Sequence, residues 1–136
     1  MADFAIADLP SATAIDIVLL SSSTANRVTQ EMDDWLLKRC IQIDGDQVAI
    51  VEELCRKLPF AESMRCHTPP VGLRFYQDTQ LLCAFSICWA CNNAYGESNG
   101  KRFVIRFDGI SPEAIALFSH LQRIVGADKL QGSEIQ

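Results

Sequence analysis

The sequence lacks any apolar run long enough to cross a bilayer as a helix. Its most apolar early stretch, residues 15–20, is short and carries Asp16, whereas a span needs about 20 residues. Basic charge is scarce as well: 12 Lys and Arg stand against 17 Asp and Glu, a net charge of −5. A face able to neutralise many phosphates is therefore not expected, which argues against nucleic acid and anionic membranes as partners. Histidine is limited to His67 and His120, so few residues titrate near neutral pH. Internal repeats, low-complexity runs and linkers are missing too.

Catalytic patterns are equally thin. The stretch Gly96-Glu97-Ser98-Asn99-Gly100-Lys101 does not have the P-loop spacing, so it gives no support for nucleotide phosphate binding. No Ser-His-Asp set or pair of acids can be assembled, because nothing in the sequence fixes their separation. The reading leans away from an enzyme. Residues 1–8 hold acidic side chains and no basic one, unlike a secretory signal. We therefore expect a cytoplasmic protein in which most of the six cysteines stay as thiols.

What is present suits one globular domain spanning residues 1–136, with 49% hydrophobic and 21% charged residues. A chain of this size buries roughly two-thirds of its unfolded surface, so it needs neither metal nor disulfide to hold a core. Residues 1–13 read as irregular, with Pro10 as a breaker, and residues 127–136 as a polar tail. Ala14 to Ser21 reads as a buried strand, with Ile15, Ile17 and Leu19 on one face and Val18 and Leu20 on the other. Residues 24–34 fit a loop or a short helix, and 35–43 a strand.

Asp44-Gly45-Asp46-Gln47 has the form of a capping box. The helix behind it carries the stripe Val48, Val51, Leu54, Cys55 and Leu58 and stops at Pro59. Two apolar runs, 72–76 and 81–91, flank a polar turn and form a hairpin. If Gln77 faces Gln80, then Phe75 opposes Leu82 and Leu73 opposes Ala84. The second run is apolar on both faces and belongs in the middle of a covered sheet. Residues 92–100 read as a polar loop and 101–108 as a strand with Phe103, Ile105 and Phe107 inward. The last helix has Ser111 as N-cap, Pro112 at its first position and Gly126 beyond its end, with Ile115, Phe118, Leu121 and Val125 as its stripe. The fold class expected is α+β, a mainly antiparallel sheet of about five strands with two helices packed on it.

Cys66, Cys83, Cys88 and Cys91 fall close together, and His67 adjoins the first. Cys66, His67, Cys88 and Cys91 form the candidate metal set. A Cys-x-x-Cys turn brings two thiolates onto one tetrahedral zinc, although structural sites usually show two such turns. The same Cys88 and Cys91 also read as a redox dithiol, but no helix start or βαβ pattern supports an activated thiolate. Extending the hairpin places residue 66 opposite 91, while Pro69 and Pro70 interrupt the ladder. Cys55, Cys83 and Cys88 read as core filling. Arg74, Arg102 and Arg106 share the outward side of their strands, as an anion face or simply a solvated one. His120 lies on the outer face of the last helix.

Two functions remain. The first is a small acidic protein-interaction or regulatory domain without catalytic activity or cofactor, acting on a protein partner. The second is a zinc-binding or redox-sensing thiol site.

Overall fold

A computed structural model describes residues 2–20, 39–66, 69–126 and 130. The expectations for residues 24–34, for 35–38, for His67 and for most of the tail fall outside these residues. The elements are β1 (Ala2–Asp3), a 3-10 turn (Ile6–Asp8), β2 (Ala14–Leu19), β3 (Arg39–Asp44) and α1 (Asp46–Arg56). Then follow β4 (Val71–Gln77), β5 (Gln80–Cys88), β6 (Asn93–Ser98), β7 (Lys101–Arg106) and α2 (Pro112–Val125).

All the strands join one sheet, ordered β1-β7-β6-β5-β4-β2-β3. Each neighbouring pair is antiparallel except β1 with β7. The fold is α+β, with six full strands and the two-residue β1 at one edge. The extra full strand is β6, and it corrects the loop expected at 92–100. Its sequence, Asn-Ala-Tyr-Gly-Glu-Ser, is too polar to signal a strand, yet it lies between β5 and β7. Asn99 and Gly100 then turn the chain with φ of 53° and 76°. Two positive φ values are what a tight hairpin turn requires and what Asn-Gly supplies.

One sheet face carries Ile15, Ile17, Leu73, Phe75, Phe85, Ile87, Phe103 and Ile105, which form the main core with the inner faces of both helices. The helix sides facing this core are Val48, Val51 and Cys55 on α1, and Ala114, Leu117, Phe118, Leu121 and Val125 on α2. Ile115, expected in the stripe of α2, is exposed instead, because the buried arc runs through Ala114, Leu117, Phe118, Leu121 and Val125. The other sheet face is smaller and more polar. Val18, Leu20 and Ala84 cluster there, with Asp16, Arg74, Ser86 and Asn93 buried nearby. Arg74 Nη2 donates to Asp16 Oδ2 at 2.8 Å, and Gln42 Nε2 to Asp16 Oδ1 at 2.9 Å.

Strand β5 sits fourth of seven in the sheet, and its residues from Cys83 onward are buried on both faces. The double-sided apolar pattern therefore placed it correctly, though it ends at Cys88 and Trp89 to Asn92 form a turn. The hairpin register is right only beside its turn. Gln77 faces Gln80 and Tyr76 faces Leu81, but Phe75 then faces Cys83 and Leu73 faces Phe85. Leu82 is an extra residue, a bulge that shifts every later pair by one.

Smaller expectations are corrected at the ends of elements. Asp44 belongs to β3 and does not cap α1; Gly45 is the N-cap, with φ 59° and no side-chain bond. A one-residue reversal from strand to helix needs a left-handed residue, and glycine is the one that takes it without cost. At the other helix Ser111 accepts from Ala114 N at 3.1 Å, as its sequence indicates. The tail is not wholly solvated, because Leu130 is buried and its N–H donates to Gln122 Oε1 at 3.0 Å.

Gly96 leaves no room for a side chain in the sheet interior. A methyl there would lie 2.5 Å from the Ala84 carbonyl oxygen and 2.6 Å from both the Phe103 ring and Phe85 Cβ. We expect Gly96→Ala to cost about 1–3 kcal/mol by overpacking. In urea this should lower the unfolding midpoint with an unchanged slope.

Candidate functional site

Three connections meet at one end of the sheet: the loop after α1, the β5–β6 turn and the β7–α2 turn. Pro59 follows α1 and leads into a loop that runs to Cys66 without regular structure. Such a segment must find partners for its backbone groups elsewhere. Met64 N donates to Cys91 O at 2.9 Å, and Asp108 N donates to Pro59 O at 2.9 Å. Two adjacent asparagines supply most of the rest.

Asn93 is buried, and its side-chain Nδ2 donates to Ser63 Oγ at 3.0 Å, Met64 O at 3.2 Å and Cys66 O at 3.0 Å. Two N–H groups are thus shared among three acceptors. Asn92 has φ 57°, a conformation asparagine tolerates better than other side-chain-bearing residues. Its Nδ2 donates to Glu62 O at 3.2 Å, while its Oδ1 accepts from Gly109 N at 2.9 Å. One asparagine side chain thereby links two of the connections to the third. Gly109 is obligatory beside it, since a Cβ there would overlap the Trp89 carbonyl.

Trp89 fastens the same end to α2. Its Nε1 donates to Ala114 O at 2.8 Å, and its ring meets Phe118 edge-on at 5.0 Å and Phe107 at 6.4 Å. The final tie is covalent: Cys66 and Cys91 form a disulfide, with Cα atoms 5.7 Å apart. Residues 66 and 91 are neighbours, as an extended hairpin would also make them, but the ladder is not what joins them. The β4–β5 ladder begins at Val71 opposite Ile87, so residue 66 reaches residue 91 through the loop and not as a cross-strand neighbour.

Of the six cysteines expected to stay mostly as thiols, two are bridged and four are not. Cys91 pairs with Cys66 and not with Cys88, whose side chain shares the polar sheet face with Ala84 and Ser86 and is buried. His67 lies outside the described residues. Among the described residues no group of three or more His, Cys, Asp or Glu is placed to hold a metal ion. Cys66 and Cys91 could ligate only as thiolates, after the bridge is opened. Cys55 and Cys83 are buried, and burial pushes both thiols up to about 12, with Cys83 adding to the effect on Cys55. Cys40 is exposed on the edge strand β3, its pKa raised by partial burial and by Asp16.

Of the two readings of Arg74, Arg102 and Arg106, an anion face or a solvated one, neither describes Arg74, which is buried, and each arginine has an acidic neighbour. Arg74 pairs with Asp16, Arg106 Nε donates to Asp3 Oδ1 at 2.8 Å, and Arg102 lies opposite Glu97 in the ladder. His120 stands beside Arg123, with its pKa lowered by burial and by that cation.

Three exposed apolar side chains sit on the interlocked connections, a feature that sequence reading passed over. Ile110 is 78% exposed, Phe60 70% and Met64 54%. The signal available was three large apolar residues in segments without helical or strand periodicity. Beside Phe60 a cavity of about 290 Å³ opens between the loop at Leu58 and Phe60, the segment from Asp3 to Ile6, and the end of β7.

The chain matches no family model, no curated protein and no solved structure. Any assignment therefore rests on this geometry. In the unreduced native chain we expect one thiol, Cys40, to react readily with a disulfide reagent at pH 8, more slowly than an unstructured cysteine because less of it is thiolate. Denaturant without reductant should raise the count to the four cysteines outside the bridge. More than one fast thiol before denaturation would contradict this arrangement.

Proposed function

We propose that this chain is a protein-interaction domain without a catalytic site of its own. Its contact face is the loop from Pro59 to Cys66 together with the turn before α2. One observation carries the reading. The described large apolar residues with the greatest exposure, Ile110, Phe60 and Met64, all lie on connections cross-linked by Asn92, Asn93 and the disulfide. Large apolar side chains gathered on one exposed surface mark a binding site, and the cross-links hold these three on neighbouring connections. Rigid attachment also reduces the ordering entropy that docking must overcome.

The chemistry of the partner follows from charge. The chain carries −5, and Asp3, Glu62 and Glu113 are exposed around this end of the sheet. A partner with apolar groups set among basic ones complements that surface. The test is affinity capture from the source cell with wild type and with Phe60→Ser plus Ile110→Ser. We expect a stoichiometric partner that the double variant loses, with its melting temperature unchanged because both positions are solvent-exposed. Recovery of the same proteins by both forms would end this reading.

A second reading keeps Cys66, His67, Cys88 and Cys91 as a zinc or redox centre. Its support is the adjacency of Cys66 and Cys91, with His67 next in sequence. In protein purified under reducing conditions without chelator it requires about one zinc per chain, lost in Cys66→Ser. Absence of zinc from that preparation, with no change of oxidation state under mild thiol, would remove it.

A further inference from the structure

The cavity beside Phe60 has a composition and size that narrow what it accepts. Its walls are Phe4, Ile6, Leu58, Phe60, Val104 and Ile105, and its polar residues are Asp3 and Arg106. Phe4 is fixed in place, stacked on Phe103 at 4.4 Å, with its N–H donating to Val104 O at 3.0 Å. At about 290 Å³ the space falls just below the roughly 300–1,000 Å³ of clefts that take drug-sized molecules or cofactors. It suits a large side chain entering from outside. Phe60 belongs both to this wall and to the exposed face, so cavity and face are continuous.

The charge at the mouth decides the flanking chemistry. Arg106 is already committed to Asp3, and Glu62 stands close enough to act on the same guanidinium. These two carboxylates outnumber the single cation. An entering anion would meet Asp3 and Glu62, whereas an entering cation gains both.

We infer that this cavity is the anchor pocket for the protein partner, taking one aromatic or large aliphatic side chain from a segment with Lys or Arg on either side of it. This rests on the interaction reading above. Binding energy in such contacts concentrates in a few anchors that fill desolvated pockets, while charged neighbours set orientation and approach rate.

The probe is a short synthetic peptide with one Phe between lysines in a Gly-Ser background. Its controls carry Ser for Phe or Glu for Lys. Titrated into the full chain labelled with 15N, the Lys-Phe peptide should shift the amides of Leu58, Phe60, Ile105 and Arg106 in a saturable way. Both controls should bind about tenfold more weakly or worse, as loss of an anchor or of charge pairing does. Ala5→Trp, at an exposed position on the cavity wall, should abolish those shifts while melting as wild type does. Equal binding of the Glu peptide, or shifts scattered elsewhere, would overturn the inference.

Capture of the natural partner separates this inference from its foundation. If Ala5→Trp retains a partner that the Phe60/Ile110 variant loses, the anchor pocket is wrong and the interaction face stands. If all forms capture alike, both fall.

Discussion

Everything at the interlocked end of this molecule depends on the burial of β5 on both sides. A strand covered on both faces cannot move relative to its neighbours without exposing apolar groups, so it acts as a fixed rail. Phe85 and Ile87 enter the main core from one face, and Ala84, Ser86 and Cys88 lie buried on the other. The turn that follows begins at Trp89, whose ring and N–H are engaged with α2. That anchorage fixes Asn92 and Asn93, and the two asparagines hold the loop after α1. The exposed face therefore inherits its order from β5 through the turn that follows it.

Most of this architecture was legible from periodicity. β2, β5, β7 and both helices have apolar spacings that hardly admit another reading, and Pro59, Ser111 and Gly126 mark helix ends for stereochemical reasons. The failures share a cause. β6 is polar and contains Gly96, so burial by its neighbours, and not its own composition, makes it a strand. The Asn99-Gly100 dipeptide was the available clue, since a turn with two left-handed residues implies strands on both sides. The bulge at Leu82 could not be foreseen from alternation, which treats every residue as paired.

The candidate site was read less well, and the reason is again physical. Cysteine spacing is the strongest local signal in the sequence, and Cys55, Cys83 and Cys88 are buried packing groups as their positions indicate. Of the three described cysteines in the candidate set, Cys66 and Cys91 are bridged and Cys88 is not. The residues that organise the region are Asn92 and Asn93, and nothing about asparagine in a sequence distinguishes a surface amide from one that donates to three acceptors. Exposure of Phe60 and Ile110 is likewise a property of the folded chain. An isolated apolar residue in a loop is ordinary until its neighbours are seen to leave it uncovered.

The two ends of the Cys66–Cys91 bridge are not equivalent. Cys91 has no solvent-accessible surface, whereas Cys66 is exposed. An external thiolate can therefore enter only from the Cys66 side, and the sulfur it expels is that of Cys91. That leaving group would have to carry its negative charge inside the protein, which makes it a poor one. The cross-link is guarded by its own asymmetry: the accessible half offers attack, and the hidden half resists departure.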